Sequence, residues 1–275
     1  VNNKEEDFMK QHFYDLTIES LKSLLMNNGF KSYSGDQIFK WVYEQNVTNP
    51  ELMTNISKAL RDFLVENIVF DYLNVLNKQV AQDGTEKYLF KLHDGHVIET
   101  VLMNYDYGQS VCVTSQVGCS MGCSFCASGI IAKKRDLSVA ELVNQVASIQ
   151  HHSKVKVTHI VVMGTGEPFD NYDNVMDFIR IINYKHGFQI GARHITVSTC
   201  GIVPRIYDYA KEVIKSNLAI SLHAPNNEIR SRLMKINKVF SINELIKAVK
   251  DYVDMTNRRV TFEYILLKGV NDDIS

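Results

Sequence analysis

Residues 110–129, SVCVTSQVGCSMGCSFCASG, decide the fold of this chain. The segment begins with alternating apolar and small residues that are typical of a buried strand. It runs directly into a loop in which Cys119, Cys123 and Cys126 have the spacing Cys-x-x-x-Cys-x-x-Cys. In an α/β sheet, ligands bind at the carboxyl ends of the strands. The segment therefore predicts a ligand site at the edge of such a sheet.

Strand-like and helix-like segments alternate through the rest of the chain. The predicted strands occupy residues 110–116, 157–164, 193–199, 217–223 and 259–267. The predicted helices between them occupy residues 138–151, 171–185, 203–214 and 242–255. Because alternation of apolar strands with helices is typical of a parallel sheet, we expect an α/β fold with its ligands at one edge.

The chain before residue 109 has a different pattern. Helical spacing of apolar residues covers 16–28, 34–45 and 50–67. Two strand-like runs, KYLFKL and HVIETVLM, are joined by the turn signal His93-Asp94-Gly95. We therefore predict a helical accessory domain at 1–75, a β-hairpin linker at 76–108 and an α/β core at 109–275.

The composition limits the class of protein. Hydrophobic residues make up 45% and charged residues 22% of the 275 residues, which is ordinary for a soluble domain. No apolar run reaches the roughly 18 residues of a membrane span, and the polar N-terminus lacks the features of a signal peptide. The net charge of -1 neither indicates nor excludes a nucleic-acid partner. We expect a cytoplasmic monomer with no membrane partner.

The cysteine loop favours an iron–sulfur cluster over zinc. A [4Fe–4S] cluster takes one ligand per iron, so three thiolates leave one iron open. An open iron can bind S-adenosylmethionine (SAM), and an electron from the cluster can then release a 5′-deoxyadenosyl radical. The alternative is a structural zinc site, which normally has four ligands. A distant histidine could supply the fourth ligand, but no second cysteine pair does so.

The sequence resembles the radical SAM methyltransferases that modify carbon-2 of adenine in ribosomal and transfer RNA, the RlmN/Cfr family. The matching segments are DGHVIETVLM (94–103), VCVTSQVGCSMGCSFCASG (111–129), VVMGTGEPFDNYDNV (161–175), HITVSTCGIVPRI (194–206), LAISLHAPNNEIRSRLMKIN (218–237) and RVTFEYILLKGVND (259–272). The first of these favours the RlmN branch. The resemblance implies a partial (β/α) barrel of the radical SAM type with a small N-terminal helical domain and a β-hairpin.

The resemblance assigns roles to individual positions. Cys119, Cys123 and Cys126 match the cluster ligands. Glu99 matches the residue proposed to act as proton acceptor. The positions that match SAM contacts are Gly166, Glu167, Ser198, Ser221, Leu222 and His223. Without the resemblance, ordinary explanations stay open for these residues: a turn glycine, surface carboxylates, strand-end serines and a structural histidine.

The resemblance also implies the chemistry. Adenine carbon-2 lies between two ring nitrogens and is too electron-poor to attack the methyl group of SAM. In the family, one SAM methylates a cysteine outside the cluster, and a radical from a second SAM activates that methyl group for addition to carbon-2. Another cysteine helps to release the product while a base removes the ring proton, a step that Glu99 would fit.

The chain departs from the family at its end. The methyl-carrying cysteine of the family lies near a C-terminal Gly-x-Asp-Ile-Asp-Ala-Ala-Cys-Gly motif, and the 275 residues stop before it. They also stop before the sixth barrel strand and its SAM-contacting Asn. We therefore expect these 275 residues alone to form an incomplete core that cleaves SAM weakly at best and transfers no methyl group. Of the other cysteines, Cys112 is predicted to be a core residue and Cys200 to lie nearer the site.

The partners follow from the same resemblance. It implies 23S ribosomal RNA and transfer RNA as substrates and an electron donor such as flavodoxin or ferredoxin. Candidate phosphate contacts are the basic residues Lys133, Lys134, Arg135, Arg230, Arg232, Arg258 and Arg259. Two other functions stay open: a radical SAM enzyme that acts on another substrate, and a non-catalytic module that binds RNA or zinc.

Overall fold

The first part of the chain is helical. The computed structural model describes residues 10–273, so the ends of the first and third predicted domains, 1–9 and 274–275, lie outside the described residues. The helices here are α1 (Ile18–Asn27), α2 (Ser34–Phe39) and α3 (Lys58–Asn67). Their buried apolar residues belong to the same core as those of the rest of the chain.

The predicted helix at 50–67 is broken in two. A short 3-10 turn, Pro50–Leu52, is followed by five irregular residues before α3 begins. The Ser57 side chain caps α3 by accepting a hydrogen bond from the Leu60 N–H. In a continuous helix, the Leu60 N–H would donate to a backbone carbonyl of the preceding turn. Here the Ser57 side chain is the acceptor instead, so a new helix begins after Ser57.

One eight-stranded sheet forms the centre of the molecule. Its strands are β1 (Asn74–Val80), β2 (Glu86–Lys91), β3 (Val97–Tyr105), β4 (Gly108–Cys112), β5 (His159–Val162), β6 (Ile195–Thr199), β7 (Asn217–Ser221) and β8 (Val260–Glu263). They lie side by side in chain order. The strands from β1 to β4 pair antiparallel, and those from β4 to β8 pair parallel. The expected α/β fold with five parallel strands is confirmed, and the predicted hairpin forms part of the same sheet.

Helices connect the parallel strands. They are α4 (Val139–Ser153), α5 (Tyr172–Asn183), α6 (Val203–Lys211), α7 (Asn227–Leu233) and α8 (Ile242–Thr256). Capping boxes, Ser138 with Glu141 and Ser241 with Glu244, start α4 and α8. None of the helices in residues 10–273 has both the length and the apolar character to cross a membrane.

Two predicted strands end four residues earlier than expected at the edge where the site lies. β4 ends at Cys112, and Gln116–Val117 forms a separate pair with Arg135–Asp136 on the far side of the cysteine loop. β8 ends at Glu263, whose carbonyl accepts the backbone N–H groups of Leu222 and His223. At both places the backbone leaves the sheet and turns into loops that bound the site.

Arg135 joins the hairpin turn to the core. Its guanidinium donates to Asp94 Oδ2 at 2.6 Å and to the two carboxylate oxygens of Glu141 at 2.7 and 2.8 Å. The hydrogen bond from Arg135 is the largest influence on Asp94 and holds its pKa below the ordinary value. The contact therefore contributes to stability only while Asp94 is ionised.

We expect Asp94→Asn to destabilise the protein by about 0.5–1 kcal/mol near neutral pH, the size of a half-exposed ion pair. Since folding lowers the pKa of Asp94, this contribution is present above the ordinary carboxyl pKa and fades as the pH falls below about 4. Urea unfolding across that range checks it. The exposed Asp254→Asn is the control and should be neutral throughout. An equal loss for Asp94→Asn at every pH would contradict the electrostatic explanation.

Candidate metal and cofactor site

A cavity of about 170 Å³ opens at the carboxyl ends of the parallel strands. All three loop cysteines line it, together with glycines, acids and hydroxyls from the strand ends. The polar and glycine lining residues are Cys119, Cys123, Cys126, Ser128, Gly164, Gly166, Glu167, Ser198, Cys200, Ser221, His223 and Glu263. Residues that are far apart in the sequence thus meet at the predicted edge of the sheet.

The loop is anchored at both sides. The Cys119 N–H donates to the carbonyl of Ile131 at 3.0 Å, on the returning segment of the loop. The Ser124 N–H donates to the carbonyl of Leu233 at 2.9 Å, at the end of α7. Burial, with the neighbouring thiols of Cys119 and Cys126, raises the pKa of Cys123 to about 11. A metal that binds here must therefore displace thiol protons.

The spacing of the thiols fits a cluster better than a single zinc ion. Tetrahedral zinc with Zn–S bonds of about 2.3 Å brings its sulfur ligands within about 3.8 Å of one another. Across residues 10–273, ligand atoms of three His, Cys, Asp or Glu residues all approach within 4.8 Å only at His12, Asp71 and His93, away from this loop. At least two of the three cysteine sulfurs therefore lie more than 4.8 Å apart. Ligands of a cubane sit on separate irons and need such a spread.

The loop after β5 brings its backbone against the cysteine-bearing segment. Gly166 has φ +115°, and a Cβ atom there would lie 2.6 Å from Ser115 Oγ. Neither the conformation nor the space suits any other residue. The backbone of this loop can therefore approach a ligand closely.

Glu167 is buried rather than solvated. Only 3% of its surface is exposed. Its Oε1 accepts the Phe169 N–H at 3.0 Å and its Oε2 accepts the Cys200 N–H at 2.8 Å. Burial raises the pKa of this carboxyl. The explanation of Glu167 as a surface loop carboxylate is therefore wrong.

Two serines and an acid from adjacent strands form a polar group in the cavity. Ser198 Oγ donates to Glu263 Oε2 at 2.7 Å, and Ser221 Oγ donates to the same oxygen at 3.0 Å. The ladder pairs Ser221 with Glu263 directly. Glu263 is a site residue that the sequence reasoning missed. The available signal was an acidic residue inside the apolar run RVTFEYILL.

Three sequence-predicted residues behave differently from one another. His223 lines the cavity, and its Nδ1 accepts the Ile265 N–H at 3.1 Å. Leu222 packs against the main core and is not a lining residue. Glu99 is on β3 and lies outside the cavity. Its half-exposed carboxylate is 3.1 Å from the Nζ atom of Lys87, on the neighbouring strand β2. The structure thus brings together every sequence-predicted site residue except Leu222 and Glu99.

The other two cysteines differ in position. Cys200 is buried and lines the cavity, where it forms a small buried cluster with Leu233 and Met234, and Cys123 packs against that cluster. Cys112 is only partly buried and does not line the cavity. Burial raises the pKa of Cys112 to about 11, so its thiol is unreactive.

Several predicted phosphate contacts are engaged within the chain. Arg230 has no exposed surface, so its prediction as an RNA contact is wrong. Lys133 pairs with Asp136 and Asp170 at 2.8 Å, and Arg135 pairs as described above. Of the predicted phosphate contacts, three remain exposed: Lys134, Arg232 and Arg259. Short basic runs in a sequence do not reveal which charges are already neutralised.

Two family models match the chain. The model of the radical SAM superfamily matches residues 113–274. The model of the ribosomal RNA large subunit methyltransferase N-terminal domain matches residues 11–69. Together they account for the cysteine loop, the parallel sheet and the helical N-terminal part.

Individual relatives are similar over nearly the whole chain. A probable dual-specificity RNA methyltransferase RlmN from Listeria monocytogenes EGD-e is 54% identical over 271 residues, which are 96% of this chain and 73% of the relative. The Staphylococcus carnosus protein of the same name is 52% identical over 272 residues, covering 98% and 75%. The crystal structure of a radical SAM methyltransferase from Sphaerobacter thermophilus has a TM-score of 0.90 and 44% identity, covering 96% of this chain and 79% of that one. The chain therefore belongs to the RlmN family of radical SAM RNA methyltransferases.

Proposed function

We propose that the protein methylates carbon-2 of adenine in 23S ribosomal RNA and transfer RNA and consumes two SAM molecules for each methyl group. The observation that carries the proposal is the meeting of three cysteines with Glu167 and two strand-end serines in one cavity. The relatives are named dual-specificity RNA methyltransferases, which supports two classes of RNA substrate.

The three loop cysteines are the proposed ligands of the [4Fe–4S] cluster that radical SAM enzymes use together with SAM. A cluster held by these cysteines would supply the electron that cleaves SAM. Because the loop offers only three thiolates, one iron would stay open for SAM. The side chains of Phe125 and Met234 also line the cavity.

The cavity offers a complementary surface for SAM. The hydroxyl protons of Ser198 and Ser221 both point to Glu263, so the serine oxygens are left as acceptors. Such acceptors suit hydroxyl or ammonium donors of SAM. The buried Glu167 places negative potential beside the cavity, which suits the ammonium group. Gly166 lets the loop backbone come close enough for direct hydrogen bonds.

Glu99 is the proposed proton acceptor for adenine carbon-2. Because it lies outside the cavity, Glu99→Gln should leave SAM cleavage unchanged and lower methylated product by about 10²–10⁴-fold. We would measure 5′-deoxyadenosine with purified protein and the methylated nucleoside in RNA from cells that carry the altered gene. The exposed Glu51→Gln is the matched control and should change neither. An equal fall in cleavage and methylation would contradict a role confined to the proton.

The substrate proposal is tested in the host cell. Deleting the gene for this protein should remove 2-methyladenosine from both 23S ribosomal RNA and transfer RNA, as read by mass spectrometry of nucleosides. The wild-type gene should restore the modification and a Cys123→Ala gene should not. Persistence of 2-methyladenosine after deletion, or loss of a different methylated base, would contradict the proposal.

A further inference from the structure

Arg230 is a fully buried cation without an acidic partner. Its side chain has no exposed surface and is the largest that is fully buried. Its guanidinium donates only to neutral oxygens, the carbonyls of Cys200 (2.7 Å), Ser221 (3.1 Å) and Leu222 (3.2 Å) and the side chain of Asn237 (3.2 Å). Within residues 10–273, no carboxylate forms an ion pair with it.

Such an arrangement is unfavourable unless a negative charge lies nearby. Four hydrogen bonds to neutral oxygens satisfy four of the five N–H donors of Arg230 but leave its charge uncompensated in a medium of low polarity. Burial lowers the pKa of Arg230, and only the thiols of Cys200 and Cys123 act in the opposite direction. Deprotonated thiols of the neighbouring cysteine loop would supply the negative charge that Arg230 lacks.

The contacts place Arg230 next to that loop. The Cys200 carbonyl that it binds belongs to a member of the small buried cluster against which Cys123 packs. Arg230 also lies on α7, and the end of this helix accepts the Ser124 N–H of the loop. Helix, strand end and cysteine loop thus form one hydrogen-bonded unit around the guanidinium.

We propose that Arg230 is the internal counter-charge of the cluster and raises its reduction potential. This inference rests on the proposed ligation by Cys119, Cys123 and Cys126. Three thiolates outweigh the positive charge of the iron–sulfide core, so the cluster is negative, and uptake of one electron from the donor adds another negative charge. No bond forms or breaks in that step. A buried positive charge stabilises the reduced cluster more than the oxidised one, and nearby charge is a known determinant of cluster potentials.

A purely structural role would have a different signature. Arg230 donates hydrogen bonds to carbonyls at the ends of β6 and β7. In the alternative role, it would only hold these strand ends together and would have no effect on the cluster. Loss of a clamp lowers the folding stability. It does not by itself favour the oxidised over the reduced cluster. The reduction potential therefore separates the two roles.

The experiment is a redox titration of the anaerobically reconstituted protein, followed by EPR of the reduced cluster. Arg230→Gln should shift the reduction equilibrium about tenfold toward the oxidised form, which is about 59 mV for a one-electron couple. Arg230→Lys keeps the charge and should stay near wild type. Arg232→Gln, exposed on the same helix, is the matched control and should not change the potential, because water screens its charge. An unchanged potential in Arg230→Gln, or an equal shift in Arg230→Lys, would overturn the proposal.

A second variant covers the case in which Arg230→Gln does not fold. Asn237 is buried and accepts a hydrogen bond from Arg230, so Asn237→Asp places a carboxylate against the guanidinium and cancels its charge. The potential should fall although Arg230 is retained. A wild-type potential in folded Asn237→Asp overturns the proposal. If wild type itself binds no four-iron cluster, the proposed function fails first, and this inference fails with it.

Discussion

Replacing Cys123 with alanine should abolish SAM cleavage. Cys123 lines the cavity, and its loop is held by the bond from Ser124 N–H to Leu233. With two thiolates left, a cubane lacks one of its protein ligands, so we expect the iron content to fall from about four per chain to a small fraction of that. The side chains that remain cannot reduce a sulfonium, so 5′-deoxyadenosine formation should drop to background.

The matched control is Cys112→Ala, because Cys112 is a cysteine outside the cavity. That variant should keep its iron, its visible absorption and its SAM cleavage. The measurements are iron and zinc analysis, visible spectroscopy and chromatography of 5′-deoxyadenosine after anaerobic reconstitution. Wild-type protein that binds one zinc and no iron, or Cys123→Ala protein that still cleaves SAM, would contradict the proposed site.

Replacing Gly166 with alanine should damage both folding and SAM binding. The residue has φ +115°, and its new Cβ atom would lie 2.6 Å from Ser115 Oγ and 2.8 Å from Gln116 Cβ. Strain and overlap of this kind destabilise proteins by about 2–4 kcal/mol in total. Because the displaced loop carries Glu167, we expect SAM affinity to fall at least about tenfold, a loss of about 1.4 kcal/mol.

The control for this variant is Gly191→Ala. Gly191 has φ −60°, and a Cβ atom there would meet nothing closer than 3.7 Å. Urea unfolding and calorimetric titration of the reconstituted proteins with SAM check the prediction. Wild-type stability and SAM affinity in Gly166→Ala would show that the loop is not the tight contact that the structure indicates.

The sequence was most informative where local pattern and tertiary structure agree. All five parallel strands were predicted because strands buried in such a sheet read as continuous apolar runs. The polar strand β1 was missed because its sequence, NVLNKQV, has no apolar face; six of its seven residues are exposed. Helix α7 was missed because seven residues, capped only by Asn226, are too few to show a helical period.

Charged residues were the least predictable part of the site. Arg230 was taken as a surface charge because arginine usually is one, and only the fold reveals its burial. Glu263 was overlooked although it binds both serines that the resemblance assigned. Sequence spacing could predict neither the contacts of Glu263 nor those of Arg230. Glu263 and its two serines lie on three different strands, and Arg230 lies on a helix and binds two strand ends. The role of Glu99 as proton acceptor stays a prediction, because its side chain faces Lys87 and not the cavity.

The central claim is that the cysteine loop holds a cluster whose open iron binds SAM. The most direct measurement is electron–nuclear double resonance of the reduced, reconstituted protein with SAM that carries ¹⁵N in its amino group or ¹⁷O in its carboxylate. We predict hyperfine coupling between the cluster and both labels, lost in Cys123→Ala. A reduced four-iron cluster that shows no coupling to either label at saturating SAM would contradict the claim.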